Sequence, residues 1–279
     1  MAQAVIRPDQ PAGMNIHWEA YSLDAFLDAQ ARIGFESIEL WANEPHFRID
    51  HLHAYEVAAV RHKIESRGLA VHTLTPENCV SPYQIAACEP WHREQSFNYF
   101  SNGIRAAAEL GCQYMEVNSG WGYWNEGREE AWKRCREMLS RLAEVARQEG
   151  IVLAMESLRP QESQLVVTLA DARRMIDEVR SPALKPMVDT VAMSVSGETL
   201  EQWFAEFGNE IVNLHFVDCN PYGHLVWGDG NRCLEEWIGV LDRYGYQGWL
   251  GQEITDGKYY ADPEAADFQN FHNFERYFA

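Results

Sequence analysis

Short apolar runs alternate with amphipathic segments along most of the chain. The apolar runs that we predict as strands are Met14–Trp18, Ser37–Trp41, Ala70–Thr75, Tyr114–Asn118, Val152–Ser157, Lys185–Asp189, Val212–Val217 and Trp249–Ile254. Several of these runs are almost continuously apolar, which is typical of strands buried on both faces of a parallel sheet. The pattern therefore predicts repeated units of one strand and one helix.

Amphipathic helices are predicted between the strands, at Leu23–Ile33, Ala131–Glu149, Leu169–Val179 and Leu200–Phe207. Their expected N-caps are Ser22, Thr168 and Thr199. A glycine often follows an amphipathic segment shortly before the next strand, where it relieves a left-handed backbone position; these are Gly34, Gly68, Gly111, Gly150, Gly208 and Gly245. This recurrence argues for an α/β fold, and we predict a single (β/α)8 TIM barrel.

One domain accommodates the chain. Its 279 residues suit one barrel, and no linker or low-complexity stretch divides them. We assign residues 14–279 to the barrel and the polar residues 1–13 to an N-terminal extension. A doubly wound open sheet is the alternative fold, but no glycine-rich turn follows the first predicted strand.

Charge and composition exclude several classes of function. The chain has 23 Lys and Arg against 42 Asp and Glu, and its net charge of −19 repels nucleic acid. No apolar run approaches the ~18 residues of a membrane span, and the N-terminal segment lacks the apolar core of a signal peptide. The 6 cysteines form no CxxC pair, which indicates reduced thiols. We expect a cytoplasmic protein with neither a nucleic-acid nor a membrane partner.

Four ionisable residues interrupt the apolar ends of successive predicted strands, the fifth to the eighth: Glu156, Asp189, His215 and Glu253. The carboxyl ends of barrel strands meet at one mouth, where the active site is built. Unpaired carboxylates buried together there would repel one another and destabilise the fold. A divalent cation removes that conflict, and three oxygen donors with one nitrogen donor suit Mn²⁺, Mg²⁺ or Co²⁺. The alternative is that each residue is separately hydrogen-bonded at its own strand end.

Motifs along the chain also match a known family. They are Gly34–Trp41, Thr75–Asn78 followed by Pro82-Tyr83, Glu156–Leu158 with Glu162-Ser163, Met187–Asp189, His215–Asp218 and Gly228–Gly230. From Met14 to its end the chain resembles the sugar phosphate isomerase/epimerase superfamily, the xylose-isomerase-like TIM barrels. Within that superfamily it is most similar to the ketose 3-epimerases, and among them to the fructoselysine 3-epimerase group.

The resemblance implies a metal-dependent sugar epimerase or isomerase that acts at the carbon next to a ketone. Glu156 and Glu253 match the glutamates that bind the metal and exchange the proton of that carbon from its two faces, through a metal-stabilised enediolate. Asp189 and His215 match pure ligands, and Glu162 matches a residue that binds substrate hydroxyls. One divalent ion is expected, with Mn²⁺ as first choice. A homodimer or homotetramer acting in carbohydrate metabolism is also expected.

Two positions depart from the ketose 3-epimerases that act on free sugars. Ala192 stands where those enzymes carry a histidine, three residues after Asp189, and Pro221 stands where they carry an arginine, six residues after His215. Both losses argue against free fructose or tagatose. They favour a substrate with a bulkier substituent, as in fructosamines.

Four further residues are candidate substrate contacts. His72 is expected to point into the mouth from the third strand, with a core histidine as the alternative. Trp121 lies in a glycine-bearing loop, where an aromatic ring either stacks on a sugar or packs the loop. Asp218 either orients the metal ligands or caps a turn. His224, in a long loop, is a candidate for acid–base work.

Other functions remain open on the sequence. A lyase of the same fold would begin with the same proton removal, either as the catalytic subunit of a C-glycoside deglycosidase acting on 3-keto glycosides or as a keto-acid dehydratase. The deglycosidase would work with a small second subunit. A DNA-repair endonuclease of the same superfamily is disfavoured by the acidic charge and by the absence of additional metal-binding histidines. A non-catalytic barrel is disfavoured because all four ligand positions are retained.

Overall fold

The computed structural model describes residues 5–49, 54–79 and 83–279 of the chain. The strands are β1 (Pro11–Met14), β2 (Ser37–Ala42), β3 (Ala70–Pro76), β4 (Tyr114–Val117), β5 (Val152–Met155), β6 (Leu184–Pro186), β7 (Val188–Asp189), β8 (Asn213–His215), β9 (Asp218–Asn220), β10 (Tyr222–Leu225) and β11 (Trp249–Gln252). The helices are α1 (Leu23–Ile33), α2 (Ala54–Glu65), α3 (Pro90–Leu110), α4 (Arg128–Glu149), α5 (Leu169–Val179), α6 (Thr190–Val195), α7 (Leu200–Phe207), α8 (Leu234–Tyr244) and α9 (Pro263–Glu275). Pro82, part of the family match, lies outside the described residues.

Parallel pairing joins the main strands in the order β6-β5-β4-β3-β2-β1-β11-β8-β7. The two edges of this sheet are consecutive parts of one segment, because β6 pairs with β5 and β7 pairs with β8. Met187 lies between them and donates its N–H to the carbonyl of Met155 over 3.0 Å. The sheet therefore curls round on itself with eight strand positions, which confirms the predicted TIM barrel.

The first strand is the one that the apolar pattern misplaced. It spans Pro11–Met14, whereas Ile16–Trp18 forms a 3₁₀ turn. The side chain of Asn15 ends the ladder, since it accepts from the N–H of Trp41 at 2.7 Å and donates to the carbonyl of Trp41 at 3.0 Å. Residues 11–13 pair with β11, so the sheet begins inside the segment that we expected as an N-terminal extension over residues 1–13.

The predicted helices and their caps agree closely with the structure. The helices α1, α5 and α7 have the predicted bounds, and α4 begins at Arg128 rather than at Ala131. Thr168 and Thr199 each form a capping box in which the N-cap and the third helical residue satisfy each other's backbone N–H. Gly34 ends α1 with a φ of 112°, a conformation that a residue with a Cβ adopts only under strain.

The helices bury their inner faces against the barrel. Among the largest fully buried side chains are Phe26, Trp132, Trp203 and Phe274, each carried by a different helix. In the part of the chain that the structure describes, no helix is both long and apolar enough to span a membrane. Outside the barrel sheet, β9 and β10 form an antiparallel hairpin directly after β8, and this hairpin lies at the carboxyl end of the strands.

Helix α9 is joined to the barrel by buried polar contacts. Asp267 accepts from Trp18 Nε1 at 2.8 Å and from Gln30 Nε2 at 2.6 Å. Asn270, one helical turn further on, donates to the side chain of Gln252 at 2.5 Å. Because these groups are fully buried, each hydrogen bond replaces one that water would otherwise supply. The helix thereby fixes the 3₁₀ turn after β1 and the last residue of β11.

Candidate active site and metal centre

The four residues predicted as metal ligands lie at the carboxyl ends of neighbouring strands. Asp189 and His215 end β7 and β8, and Glu156 and Glu253 directly follow β5 and β11. They line one cavity of about 180 Å³. The parallel register of the barrel brings their side chains together, as expected for groups at this end of a β/α barrel.

Two overlapping groups of ligand atoms share Glu253. His215 Nδ1 lies 2.6 Å from Glu156 Oε1 and 3.1 Å from Glu253 Oε2. His224 Nε2 lies 3.0 Å from the same Glu253 oxygen and 3.2 Å from Asp189 Oδ2. Each set of one histidine and two carboxylates has its ligand atoms within 4.8 Å of one another, the spacing at which they can hold a metal ion.

The carboxylates give the cavity a negative potential. Although burial disfavours its charge, His215 has a pKa raised well above the usual value because Glu253, Glu39 and Glu156 surround it. Burial raises the pKa of Glu156 to about 7, although the positive charge of His215 opposes that shift. The site thus stabilises a positive charge on an imidazole that burial alone would keep neutral.

Two buried atoms indicate where a cation fits. Glu156 Oε1 and His215 Nδ1 lie 2.6 Å apart, but among the described residues neither forms a hydrogen bond of acceptable geometry. Buried polar atoms are normally satisfied, so these two atoms call for a ligand that both can bind. Carboxylate oxygens are common ligands of Mn²⁺ and Mg²⁺, and imidazole nitrogens are common ligands of transition-metal ions such as Zn²⁺. The residues present therefore fit a divalent cation.

Glu39 holds the other side of the His215 ring. Its carboxylate lies 3.0 Å from His215 Nε2 and also accepts from Thr75 Oγ1 at 2.5 Å and Asn213 Nδ2 at 3.0 Å. Nε2 can donate its N–H to this carboxylate, so the lone pair of Nδ1, which faces the cavity, would be available to a bound cation.

Gly251 makes room for this arrangement. A Cβ at Gly251 would clash with Glu39 Oε2 and would also approach the His215 ring. Gly251 pairs with His215 of β8. A side chain at position 251 would therefore occupy the space of the Glu39–His215 contact.

Asp189 and His224 form a close pair, with His224 Nε2 3.2 Å from Asp189 Oδ2. Asp189 caps α6 and accepts from the backbone N–H of Val191 and of Ala192, each at 2.9 Å. His224 lies on β10, with Nδ1 3.2 Å from Thr255 Oγ1. Burial disfavours its charge, but the carboxylates of Asp189 and Glu253 raise the pKa of His224 to about 10. The hairpin thus brings the long-loop candidate directly into the cluster.

Glu162, predicted to bind substrate hydroxyls, also lines the cavity. It pairs with Arg159, whose Nε lies 3.0 Å from Glu162 Oε2 and whose backbone N–H donates to the same oxygen at 3.0 Å. This pair stands on the loop after β5, beyond Glu156. It gives the cavity wall one cation among its acidic side chains.

Three other predicted substrate contacts, His72, Trp121 and Asp218, do not line this cavity. His72 is at the amino-terminal half of β3, where its ring stacks on Trp249 with centroids 3.3 Å apart and Nε2 lies 2.7 Å from Ser37 Oγ. The sequence placed His72 on the third strand, but it did not show how far this residue lies from the carboxyl end of that strand. The core alternative therefore holds for His72.

Asp218 and Trp121 organise loops. Asp218 accepts backbone N–H groups from Gly228, Gly230 and Arg232 at 2.9 to 3.1 Å, so it shapes the loop after β10. Trp121 donates its backbone N–H to Gln84 over 3.0 Å. Neither residue is among the described residues that line the cavity.

Sequence reasoning missed other cavity residues. Glu116, Asn78 and Arg159 all line the cavity. Glu116 interrupts the apolar β4 between Met115 and Val117, which is the same signal that identified the strand-end carboxylates. It was not recognised because it lies within the strand rather than at its end.

Comparisons with known proteins agree with the fold. Residues 27–271 match the family described as xylose isomerase-like TIM barrel. The chain is 29% identical over 234 residues to fructoselysine 3-epimerase of Shigella flexneri, covering 83% of this chain and 84% of that one. It is 22% identical to D-psicose 3-epimerase of Ruminiclostridium cellulolyticum, covering 78% and 75%. The structure of 3-keto-D-glucoside 4-epimerase from E. coli superposes with a TM-score of 0.79 at 19% identity, covering 95% and 98%.

Replacing Glu39 should weaken metal binding without removing a ligand. Glu39→Gln changes the group that orients His215, and such changes typically weaken metal binding about 10–100-fold. Titration calorimetry with Mn²⁺ on metal-free protein measures the effect. The matched control is Glu137→Gln on α4, where the side chain is 69% exposed. Equal Mn²⁺ affinity in all three proteins would refute the role of Glu39.

The half-buried ring of His72 should make stability depend on pH in a defined direction. Burial lowers the pKa of His72 to about 4 in the folded protein, against about 6.5 in an unfolded chain. Between these values only the unfolded state takes up the proton, so the free energy of unfolding falls as the pH is lowered. In urea titrations at pH 7 and pH 5, His72→Gln should lose less stability than wild type. Identical losses would contradict this assignment.

Proposed function

The chain belongs to the xylose isomerase-like TIM barrel family, and from that premise we propose that it is a metal-dependent sugar epimerase. The proposed reaction inverts a carbon next to a ketone by removing and returning its proton. The observation that carries this proposal is that Glu156 and Glu253 both lie beside His215 Nδ1, at 2.6 and 3.1 Å, in one cavity. Inversion requires a proton-transfer group on each face of the carbon, and this pair supplies both.

The residues proposed to hold the cation are Glu156, Asp189, His215 and Glu253. A divalent cation bound there would polarise the ketone and compensate the negative charge that develops on its oxygen. The fit rests on the buried atoms Glu156 Oε1 and His215 Nδ1, which lie 2.6 Å apart without a well-aligned hydrogen bond among the described residues. Mn²⁺ stays the predicted metal, and the cytoplasmic location and homo-oligomeric state also stay predictions.

The two glutamates are proposed to exchange the proton. Without a bound cation, burial raises the pKa of Glu156 to about 7. A carboxylate beside the substrate carbon can accept its proton and return it. Burial opposes the charge of Glu253, yet His215 and His224 hold its pKa well below the usual value. The two carboxylates therefore differ in basicity before substrate binds, and a bound cation would favour the ionised form of each.

The surrounding residues orient these groups. We propose that His224 donates from Nε2 to the carboxylates of Asp189 and Glu253, which lie 3.2 and 3.0 Å away. Glu162 and its partner Arg159 stand on the cavity wall, where a carboxylate accepts from substrate hydroxyls. Such fixed hydrogen bonds hold the reacting carbon between the two acid–base groups.

A substituted ketose is the proposed substrate class. The relatives named above act on fructoselysine and D-psicose, and the structural neighbour acts on a 3-keto-glucoside. Ala192 and Pro221 replace the polar residues of enzymes for free ketoses, which supports a fructosamine-type substrate. The relatives are epimerases, so epimerisation is favoured over the lyase alternative.

Proton exchange in D₂O tests the proposal. Metal-loaded wild-type protein is incubated with D-fructose, D-psicose, fructoselysine and a methyl 3-keto-glucoside, and NMR follows loss of the carbon-bound proton and appearance of the epimer. Glu156→Gln and Glu253→Gln should each lower the rate of epimerisation by at least ~10²–10⁴, because each removes one acid–base group.

The controls separate chemistry from metal loss and from misfolding. Glu137→Gln should epimerise at the wild-type rate, and the metal content of every variant is measured. Treatment with EDTA should abolish exchange in wild type, and added Mn²⁺ should restore it. Wild-type epimerisation in either glutamate variant would rule out the two-carboxylate mechanism.

A further inference from the structure

A second polar cluster lies in the same cavity, on β4 and the loop after β3. Glu116 of β4 and Asn78 of the loop after β3 both line the cavity. Neither residue belongs to the groups able to hold a metal ion among the described residues. The cluster is therefore separate from the acid–base and metal-binding residues assigned above.

Glu116 lies deeper in the barrel than the metal-binding residues. It pairs in register with Ala154 of β5, two residues before Glu156. Alternate residues of a strand point to the same face, so Ala154 and Glu156 share the inner face, and Glu116 occupies the level below Glu156. Its side chain is 1% exposed, and it forms part of the cavity floor.

A short chain of hydrogen bonds fixes one oxygen of Glu116. Asn78 Nδ2 donates to Glu116 Oε2 at 2.6 Å and to the carbonyl of Pro76 at 2.6 Å. Asn78 in turn accepts from Asn118, whose own oxygen accepts from the backbone N–H of Gly120 at 2.8 Å. The carboxyl group is thus held in one orientation by rigid neighbours.

The other oxygen of Glu116 has no partner. Oε1 is buried and forms no hydrogen bond within the described part of the chain. A buried polar atom that is left unsatisfied destabilises a protein by about 1–3 kcal/mol, so such atoms are normally paired with a ligand or with water. A carboxyl oxygen at this place can accept a hydrogen bond from a hydroxyl group.

We propose that Glu116, oriented by Asn78, binds a hydroxyl group of the sugar substrate from the cavity floor. This inference rests on the proposed function, because it assumes a polyhydroxylated substrate in this cavity. Glu162 and Arg159 would then contact the substrate from one wall and Glu116 from the floor. The sugar is held at two separate points, which fixes the orientation of the carbon between Glu156 and Glu253.

Equilibrium binding tests the inference independently of turnover. Calorimetry on the metal-loaded protein measures the affinity of D-fructose, D-psicose and fructoselysine, and the ligand with the highest affinity is used throughout. Glu116→Leu should weaken binding about tenfold or more and raise KM more than it lowers kcat, since it removes a ground-state hydrogen bond. Glu116→Gln keeps the shape and a side-chain oxygen that accepts from a hydroxyl group, and it should stay within about threefold of wild type.

Three controls identify the cause of any change. Glu198→Leu removes another partly buried carboxyl group, which accepts from Leu169 and Trp203 away from the cavity, and should leave binding unchanged. Mn²⁺ affinity should be equal in wild type and Glu116→Leu. Should Glu116→Leu fail to fold, Asn78→Ala removes the group that holds the carboxyl and should weaken binding in the same direction.

Deoxy sugars locate the contact. Wild type and Glu116→Leu should bind equally well the one deoxy analogue that lacks the contacted hydroxyl group. Equal binding of the intact sugar by wild type, Glu116→Leu and Asn78→Ala would overturn the inference and assign Glu116 Oε1 to a structural water. Binding by wild type without proton exchange would instead contradict the proposed function alone. Failure of every sugar to bind wild type would overturn both.

Discussion

Electrostatic repulsion among buried carboxylates is the constraint on which this site depends. Within the described residues, one cavity is lined by Glu77, Glu116, Glu156, Glu162, Asp189 and Glu253. Burial makes their uncompensated charge costly. Two imidazoles and one guanidinium offset part of it, and the pKa of His215 rises well above its usual value although burial opposes that shift. A divalent cation at the same place would compensate the remaining negative charge and would polarise the ketone of a bound substrate.

Hydrogen bonds from neighbouring groups fix the orientation of the polar side chains that line the cavity. Asp189 is oriented by the backbone N–H groups of Val191 and Ala192, and His215 by Glu39. Asn78 does the same for Glu116. The holding groups lie on a strand, in the first turn of a helix and in the hydrogen-bonded loop after β3, so the functional atoms are preorganised before a ligand binds. The barrel thus both brings the polar side chains together and fixes their orientations.

Local sequence signals predicted most of the fold and the ends of four strands. Thr168 and Thr199 marked helix starts, and Glu156 and Asp189 stood out because they interrupt apolar runs. Features that depend on register could not be predicted in this way. His72 occupies the wrong depth of β3 for the mouth, and Glu116 is a mid-strand residue that reaches the cavity floor. The first strand was misplaced because the side chain of Asn15 replaces a backbone ladder.

The most direct test of the account is the position of the metal. Crystals soaked in Mn²⁺ and measured at the manganese absorption edge should show one anomalous peak in the cavity. The account predicts that this peak lies about 2 Å from oxygen atoms of Glu156, Asp189 and Glu253 and from His215 Nδ1. A cavity without a peak, or a peak bound by Asp189 and His224 but remote from Glu156, would contradict it.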